Sequence, residues 1–235
     1  MRKKNSEIKI CPLCKKPIEA PVINSRKCCS KSHSAFFSSS RRYNSEIVKD
    51  EVTNITWCKN LSYLIGMIAS DGTLHINRHL IKISSKDYDL LIQIRDIVCD
   101  LITGKKNKIL TDLKVSEGKT FKNYSYSFTS HIFYHFCLDI GLTPNKSLTI
   151  SKLKVPKIYF SDFLRGEIDG DGNFNIIKRH LNNCERRYIN IRIYSGSKAF
   201  LQWINETCSK NIYIYGIIYK DKEVKNKYVL FWSDG

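Results

Sequence analysis

The apolar and polar positions of this chain fall into a pattern that runs twice. Leu61 to Ala69 is an almost unbroken apolar stretch, LSYLIGMIA, that reads as a buried helix ending in Ser70-Asp71-Gly72. GTLHINRHLIKISS then alternates as two short strands. In KDYDLLIQIRDIVCDLI the apolar residues Leu90, Leu91, Ile94, Ile97, Val98 and Leu101 recur at helical spacing behind an acidic first turn. KNKILTDLKVSEGKTFKNYSYSFTS predicts two strands around a turn at Glu117-Gly118-Lys119, and HIFYHFCLDIGL a helix stopped by Gly141 and Pro144. The order then repeats: a helix to Asp169, strands within NFNIIKRHLNNCERRYINIRIY, a helix in SKAFLQWINETC, and strands in NIYIYGIIYKDKEVKNKYVLFW. The expected fold class is therefore α+β, with two pseudo-symmetric αββαββ(α) halves over residues 61–155 and 156–235. A closing helix is seen only in the first half, and the chain reads as shortened at its C-terminus.

The two leading helices share an unusual ending. YLIGMIASDG and FLRGEIDGDG, one hundred residues apart, both place an aspartate before a glycine at the helix C-terminus. That end carries the negative pole of the macrodipole, so a carboxylate there costs about 0.3–1 kcal/mol. Gly66 with Ser70, and Gly166 with Gly170, form small-residue faces that let two helix backbones approach closely. Packing these helices on each other would bring Asp71 and Asp171 together, where they repel and each tends to keep a proton. A shared divalent cation such as Mg²⁺ removes both penalties, because hard oxygen donors suit it.

Charge points to the partner. The 235 residues carry a net +17, distributed as 13 basic and 5 acidic groups over residues 1–60, 14 and 8 over 61–160, and 12 and 9 over 161–235. An excess spread along the whole chain fits a polyanion, most simply nucleic acid. No apolar run reaches the roughly 18 residues of a membrane span, and MRKKNSEIKI lacks the apolar core of a secretory signal, so an intracellular, non-membrane protein is expected.

Nine cysteines are present, most of them isolated in apolar segments as reduced core thiols would be. Cys11-Pro-Leu-Cys14 and Cys29-Ser-Lys-Ser-His33 differ: two close ligand pairs across a short polar loop suit one tetrahedral Zn²⁺, with Cys28 an alternative to Cys29. Four protein ligands leave no open position, so the role expected is structural. Residues 1–45 are read as this zinc-binding arm and 46–60 as a linker.

Leu64-Ile-Gly-Met-Ile-Ala-Ser-Asp71-Gly72 and Leu164-Arg-Gly-Glu-Ile-Asp-Gly-Asp171-Gly172 resemble the nonapeptide of the LAGLIDADG homing endonucleases in their single-chain, two-motif form. The resemblance covers about residues 61–235 and leaves the N-terminal arm outside. It implies Asp71 and Asp171 as catalytic acids holding two or more Mg²⁺ ions, with the backbone carbonyls of Ser70 and Gly170 as further metal contacts. It implies Gly66, Gly166 and Gly170 as the helix interface, and Lys146 of GLTPNKSLTI as a basic residue that orients water or stabilises the transition state. Lys86 with Ser84, Ser85 and Ser195 would order water nearby. The sixth motif position departs from the pattern in the first half, Ala69 against Asp169, but the eighth carries the essential acid in that family. The implied activity is a double-strand break with short 3′ overhangs at a long asymmetric DNA target, made by a monomer.

The strands would form two antiparallel sheets making a saddle whose outward residues enter the major groove. Candidates are His75, Asn77, Arg78, Lys82, Lys114, Lys122 and Tyr124 in the first half. In the second they are Asn175, Lys178, Arg179, Arg186, Arg192, Lys220, Lys222 and Lys227. The competing reading keeps the fold as an RNA maturase, acting on host intron RNA, or as a DNA-binding regulator without cleavage. The intact acid pair argues against it, since binding alone needs neither carboxylate.

Overall fold

Most helix starts among the described residues are set by short side-chain caps. In the computed structural model, which describes residues 55–76, 78–116, 119–181 and 184–233, Cys58 Sγ accepts from the Leu61 amide and opens helix α1, Lys59–Asp71. Strands β1, Gly72–His75, and β2, Leu80–Ser85, follow. The Asp87 carboxylate accepts from the Asp89 and Leu90 amides at 2.9 and 3.1 Å to start α2, Tyr88–Val98, satisfying donors that a helix leaves unpaired. Strands β3, Leu110–Ser116, and β4, Lys119–Thr129, lead to α3, His131–Ile140, which Ser130 caps and Gly141 ends in the left-handed conformation.

The second half repeats this with α4, Phe160–Asp171, then β5, Gly172–Leu181, β6, Cys184–Ser195, α5, Lys198–Ile212, β7, Ile217–Lys220, and β8, Tyr228–Ser233. The repeat extends to local contacts: Ser85 and Ser195, at the ends of β2 and β6, each accept at 3.1 Å from the amide of the residue that caps the next helix. Among the described residues β8 is the last element. The two four-stranded sheets have equivalent orders, β1-β2-β4-β3 and β5-β6-β8-β7, with every pairing antiparallel.

Alternation along the strands sends Leu74, Ile81, Ile83, Tyr126 and Phe128 of the first sheet, and Ile193, Leu230 and Trp232 of the second, into one continuous core. Helix α1 lies at its centre. All nine residues from Leu61 to Ala69 are buried, as expected of a helix apolar on every side. No helix among the described residues is long and apolar enough to cross a membrane.

Helices α1 and α4 meet backbone to backbone at Gly66 and Gly166. A Cβ on Gly66 would collide with Phe163 O and lie 3.0 Å from Gly166 Cα. A Cβ on Gly166 would collide with Tyr63 O and lie 2.9 Å from Met67 N. Tyr63 closes the same interface from the side: its hydroxyl donates to Asp169 at 2.9 Å, and the Arg165 guanidinium stacks 4.4 Å over its ring.

Gly66→Ala and Gly166→Ala are each expected to cost about 3 kcal/mol or more, because backbone opposite the new methyl has nowhere to move. Gly104→Ala, at a position with φ +62 and no atom near the added Cβ, should cost only about 1 kcal/mol. Denaturant unfolding of the three variants measures the difference, and equal losses would contradict the close-contact account.

Candidate active site

The close contact at Gly66 and Gly166 fixes what happens one turn further on. Both helices end in an aspartate and pass directly into a strand, at Gly72 and Gly172, whose amides bond back to Ile68 O and Ile168 O. Ser70 turns its hydroxyl back onto the carbonyls of Gly66 and Met67, both at 3.2 Å, and lies so close to Gly170 that any side chain there would strike it. Asp71 Oδ2 lies only 3.4 Å from where a Cβ on Gly170 would stand, so the first acid reaches across to the end of the second helix.

The acids are set in an environment that resists their charge. Asp71 is pushed up to about 6 by burial and then by the negative charge of Asp171, with Lys146 pulling the other way. Asp171 keeps a side open to solvent, yet the protein around its carboxyl also raises it, against the same lysine.

Lys146 enters from a 3₁₀ turn, Lys146–Leu148, that follows Asn145 in the left-handed conformation. Its residue is only 6% exposed. Its ammonium donates to Gly72 O at 2.7 Å and Ser70 O at 3.2 Å, groups left over at the C-terminus of α1. Burial lowers this lysine, while Glu167, Asp171 and Asp71 favour its charge. The Ser70 carbonyl, expected from the sequence as a metal contact, is thus already used by an ammonium; a carbonyl has a second lone pair that remains.

Glu167 went unnoticed in the sequence. It stands at the motif position that Met67 holds in the first helix, is 1% exposed, and leaves Oε1 without a hydrogen-bond partner among the described residues. Burial and the charges of Asp171 and Asp71 raise it well above the ordinary carboxylate range, opposed by Lys146. The available signal was an acid in the middle of a helix whose equivalent residue is apolar. Asp169, by contrast, is spent on Tyr63.

The donor set, two carboxylates and adjacent carbonyls at the negative poles of two helices, fits a hard divalent cation. Such an ion would offset the burial that raises both aspartates and the repulsion that Asp71 meets from Asp171.

Strand register sorts the candidate DNA contacts. His75, Lys82, Asn175, Arg186 and Arg192 lie on the strand faces opposite the core, and Lys227 stands just before β8. Lys82 reaches Asp112 at 3.9 Å. Lys114 stands opposite Phe121, and Arg179 opposite Arg186. Lys122, Lys178 and Lys220 fall instead on the alternation of the core-facing side, where they are exposed beyond the helices, and Lys178 pairs with Glu185 at 3.2 Å. Tyr124 is turned inward by the same alternation and meets the ring of Tyr88 of α2 edge-on, with centroids 5.1 Å apart, so it is a packing residue. Arg78 and Lys222 are exposed in turns. Two aromatic partners of the basic groups were missed: Phe231 lies under Arg192, and Tyr194 under Lys227, which also pairs with Asp221. Ser85 and Ser195 are engaged in the turns described above. Asn77 and the expected zinc ligands Cys11, Cys14, Cys29 and His33 lie outside the described residues.

No protein-family model and no curated protein matches the chain. Solved structures do. The homing endonuclease I-WcaI bound to its DNA recognition sequence matches with a TM-score of 0.57 at 14% identity, over 80% of this chain and 82% of that one. The N-terminal LAGLIDADG domain of DUF199/WhiA matches with a TM-score of 0.49 at 15% identity, over 74% of each chain. I-DmoI in complex with DNA and Mn matches at 0.47 and 18%, over 76% and 90%. The likeness to I-WcaI, with the repeated αββαββ order on the page, shows that the chain has the LAGLIDADG fold.

Raised carboxyl groups make the cation-free protein less stable as pH rises. For Asp71 the penalty is absent below the ordinary carboxyl value of 3.8, grows as pH climbs towards about 6, and is complete above it. Asp71→Asn should therefore stabilise the cation-free protein by about 1–2 kcal/mol at neutral pH and change it little near pH 4. Glu167→Gln should flatten the remaining decline. Urea unfolding from acid to neutral pH checks both, and parallel curves for wild type and variants would show that neither carboxyl carries the shift.

Proposed function

We propose that this protein is a DNA endonuclease that cuts both strands of a long asymmetric site by metal-dependent phosphodiester hydrolysis, leaving 3′ overhangs. The observation that carries the reading is the acid pair at the ends of two helices in glycine contact, with one buried lysine beside it. A binding protein needs no such charge concentration, which destabilises its own fold.

Asp71 and Asp171, with the carbonyls of Ser70 and Gly170, would hold Mg²⁺. When bound, the ions supply a lowered pKa for the attacking water and positive charge against the phosphate oxygens. The chain's own residues do the rest. Packing at Gly66 and Gly166 holds the two carboxylates in register, so the site forms before substrate arrives. Lys146 uses two donors on Ser70 O and Gly72 O, which leaves one of its three N–H bonds for a phosphate oxygen or the attacking water. As the water oxygen bonds to phosphorus and gives its proton to solvent, the bond from phosphorus to the sugar oxygen breaks and that oxygen takes up a proton from solvent. This ammonium would offset the negative charge building on the phosphoryl oxygens.

Recognition of DNA draws on the opposite sheet faces, through His75, Lys82, Asn175, Arg186 and Arg192, with Lys227 beside them over the Tyr194 ring. Support comes from the alternation of these positions and from the DNA-bound state of the I-WcaI relative of this fold. The net charge of +17 predicts an affinity that falls steeply with salt. The two halves differ in sequence, which suits a monomer on a non-palindromic target. Cys11, Cys14, Cys29 or Cys28, and His33 form a structural zinc module in this reading, with an added phosphate-contact role from its lysines and arginines.

The test is a cleavage selection from a randomised duplex library with Mg²⁺. Double-strand ends at one asymmetric motif are expected. Asp71→Asn and Asp171→Asn should lower cutting by at least about a hundredfold while changing DNA affinity little, and Lys146→Met should slow it by about 10²–10³. Selective binding without cut ends would overturn the endonuclease reading in favour of a regulator, and selective retention of structured RNA would favour a maturase.

A further inference from the structure

Three histidines gather at the far end of the first sheet from the acids. The β1–β2 ladder starts at Gly72 opposite Ile83 and ends at His75 opposite Leu80, and His79 stands in the turn between the strands. His131 and His135 are one helical turn apart at the start of α3, and therefore on one face. The rings of His131 and His135 have centroids 4.4 Å apart, and the His79 ring is 4.6 Å from the first and 5.5 Å from the second. One ring nitrogen from each can be chosen so that all three lie within 4.8 Å of one another.

We propose that His79, His131 and His135 form a site for a borderline transition-metal ion, Zn²⁺ in the first place, that clamps the β1–β2 turn to the start of α3. Zn–N bonds of about 2.0–2.1 Å in tetrahedral geometry require nitrogens about 3.4 Å apart, and the three nitrogens already stand within 4.8 Å of one another. The backbone is already committed to this meeting. His79 adopts a left-handed φ of 47, which disfavours most side chains, and its carbonyl accepts from the Ser130 amide that precedes α3. No described hydrogen bond uses a ring nitrogen of the three; their described contacts are with one another and with Tyr134. His135 is exposed, which leaves the fourth position to water.

This site is chemically separate from the other two. Its all-nitrogen ligands suit zinc, copper or nickel, whereas the acids offer hard oxygen donors, and the N-terminal pairs offer sulfur. The proposal does not depend on cleavage.

The full-length chain is prepared with Cys11, Cys14, Cys28 and Cys29 changed to Ser, dialysed against micromolar Zn²⁺, and its metal content measured. One equivalent should be retained, and His131→Gln or His79→Asn in that background should lose it. A Co²⁺ titration of the same protein should give a visible spectrum without sulfur-to-cobalt charge transfer. Zinc should raise the Tm of the parent and leave the His131→Gln protein unmoved, the two melting alike without metal. Should the serine protein fail to fold, the native chain and its His131→Gln variant are compared directly, with a fall of one equivalent expected. No zinc retained by a folded serine protein, or equal retention after His131→Gln in either background, would overturn the site.

Discussion

The contact of Gly66 with Gly166 is the constraint from which the rest of this molecule follows. Two helix backbones can touch only where side chains are absent, and here the touching atoms are carbonyls, amides and Cα carbons. The approach fixes the axial register of α1 against α4. It thereby decides that Asp71 and Asp171 end at the same level, that Ser70 fits over Gly170, and that Tyr63 reaches Asp169. Each sheet begins at the residue after its aspartate, so the same contact also sets where the strands start.

What the contact brings together is electrostatically unfavourable by itself. Three carboxyl groups, Asp71, Asp171 and Glu167, surround one ammonium, that of Lys146. The lysine has a double use: it offsets the acids, and it satisfies two carbonyls that the helix C-terminus would otherwise leave exposed to the charge. Among the described residues this ammonium acts on both Asp71 and Asp171.

Much of this was legible from periodicity. The alternating strands and capped helices stand where their patterns put them, because the caps Asp87, Ser130 and Ser197 act over three residues and need no tertiary information. The acid pair was legible because it is repeated. Tyr124 was misread as a DNA contact, since an aromatic among polar residues such as Asn123 and Ser125 does not reveal which side of the strand a helix will cover. Glu167 and the histidine cluster were missed for a related reason. Burial of an acid inside a helix, and the meeting of His79 with His131 and His135 across 52 residues of sequence, are products of packing that no local window contains.

From Leu61 to Ala69 helix α1 has no solvent face, and this ties the two repeated halves into one cooperative unit. Its nine buried residues are covered partly by its own half and partly by α4. Were the second half to open, the strip around Gly66 and Met67 would meet water as bare backbone and apolar surface. A half-open state therefore gives up burial on both sides at once and keeps little in return. The two halves, so alike in order, are folded together or not at all, and a pseudo-symmetry that suggests two interchangeable modules conceals one indivisible core.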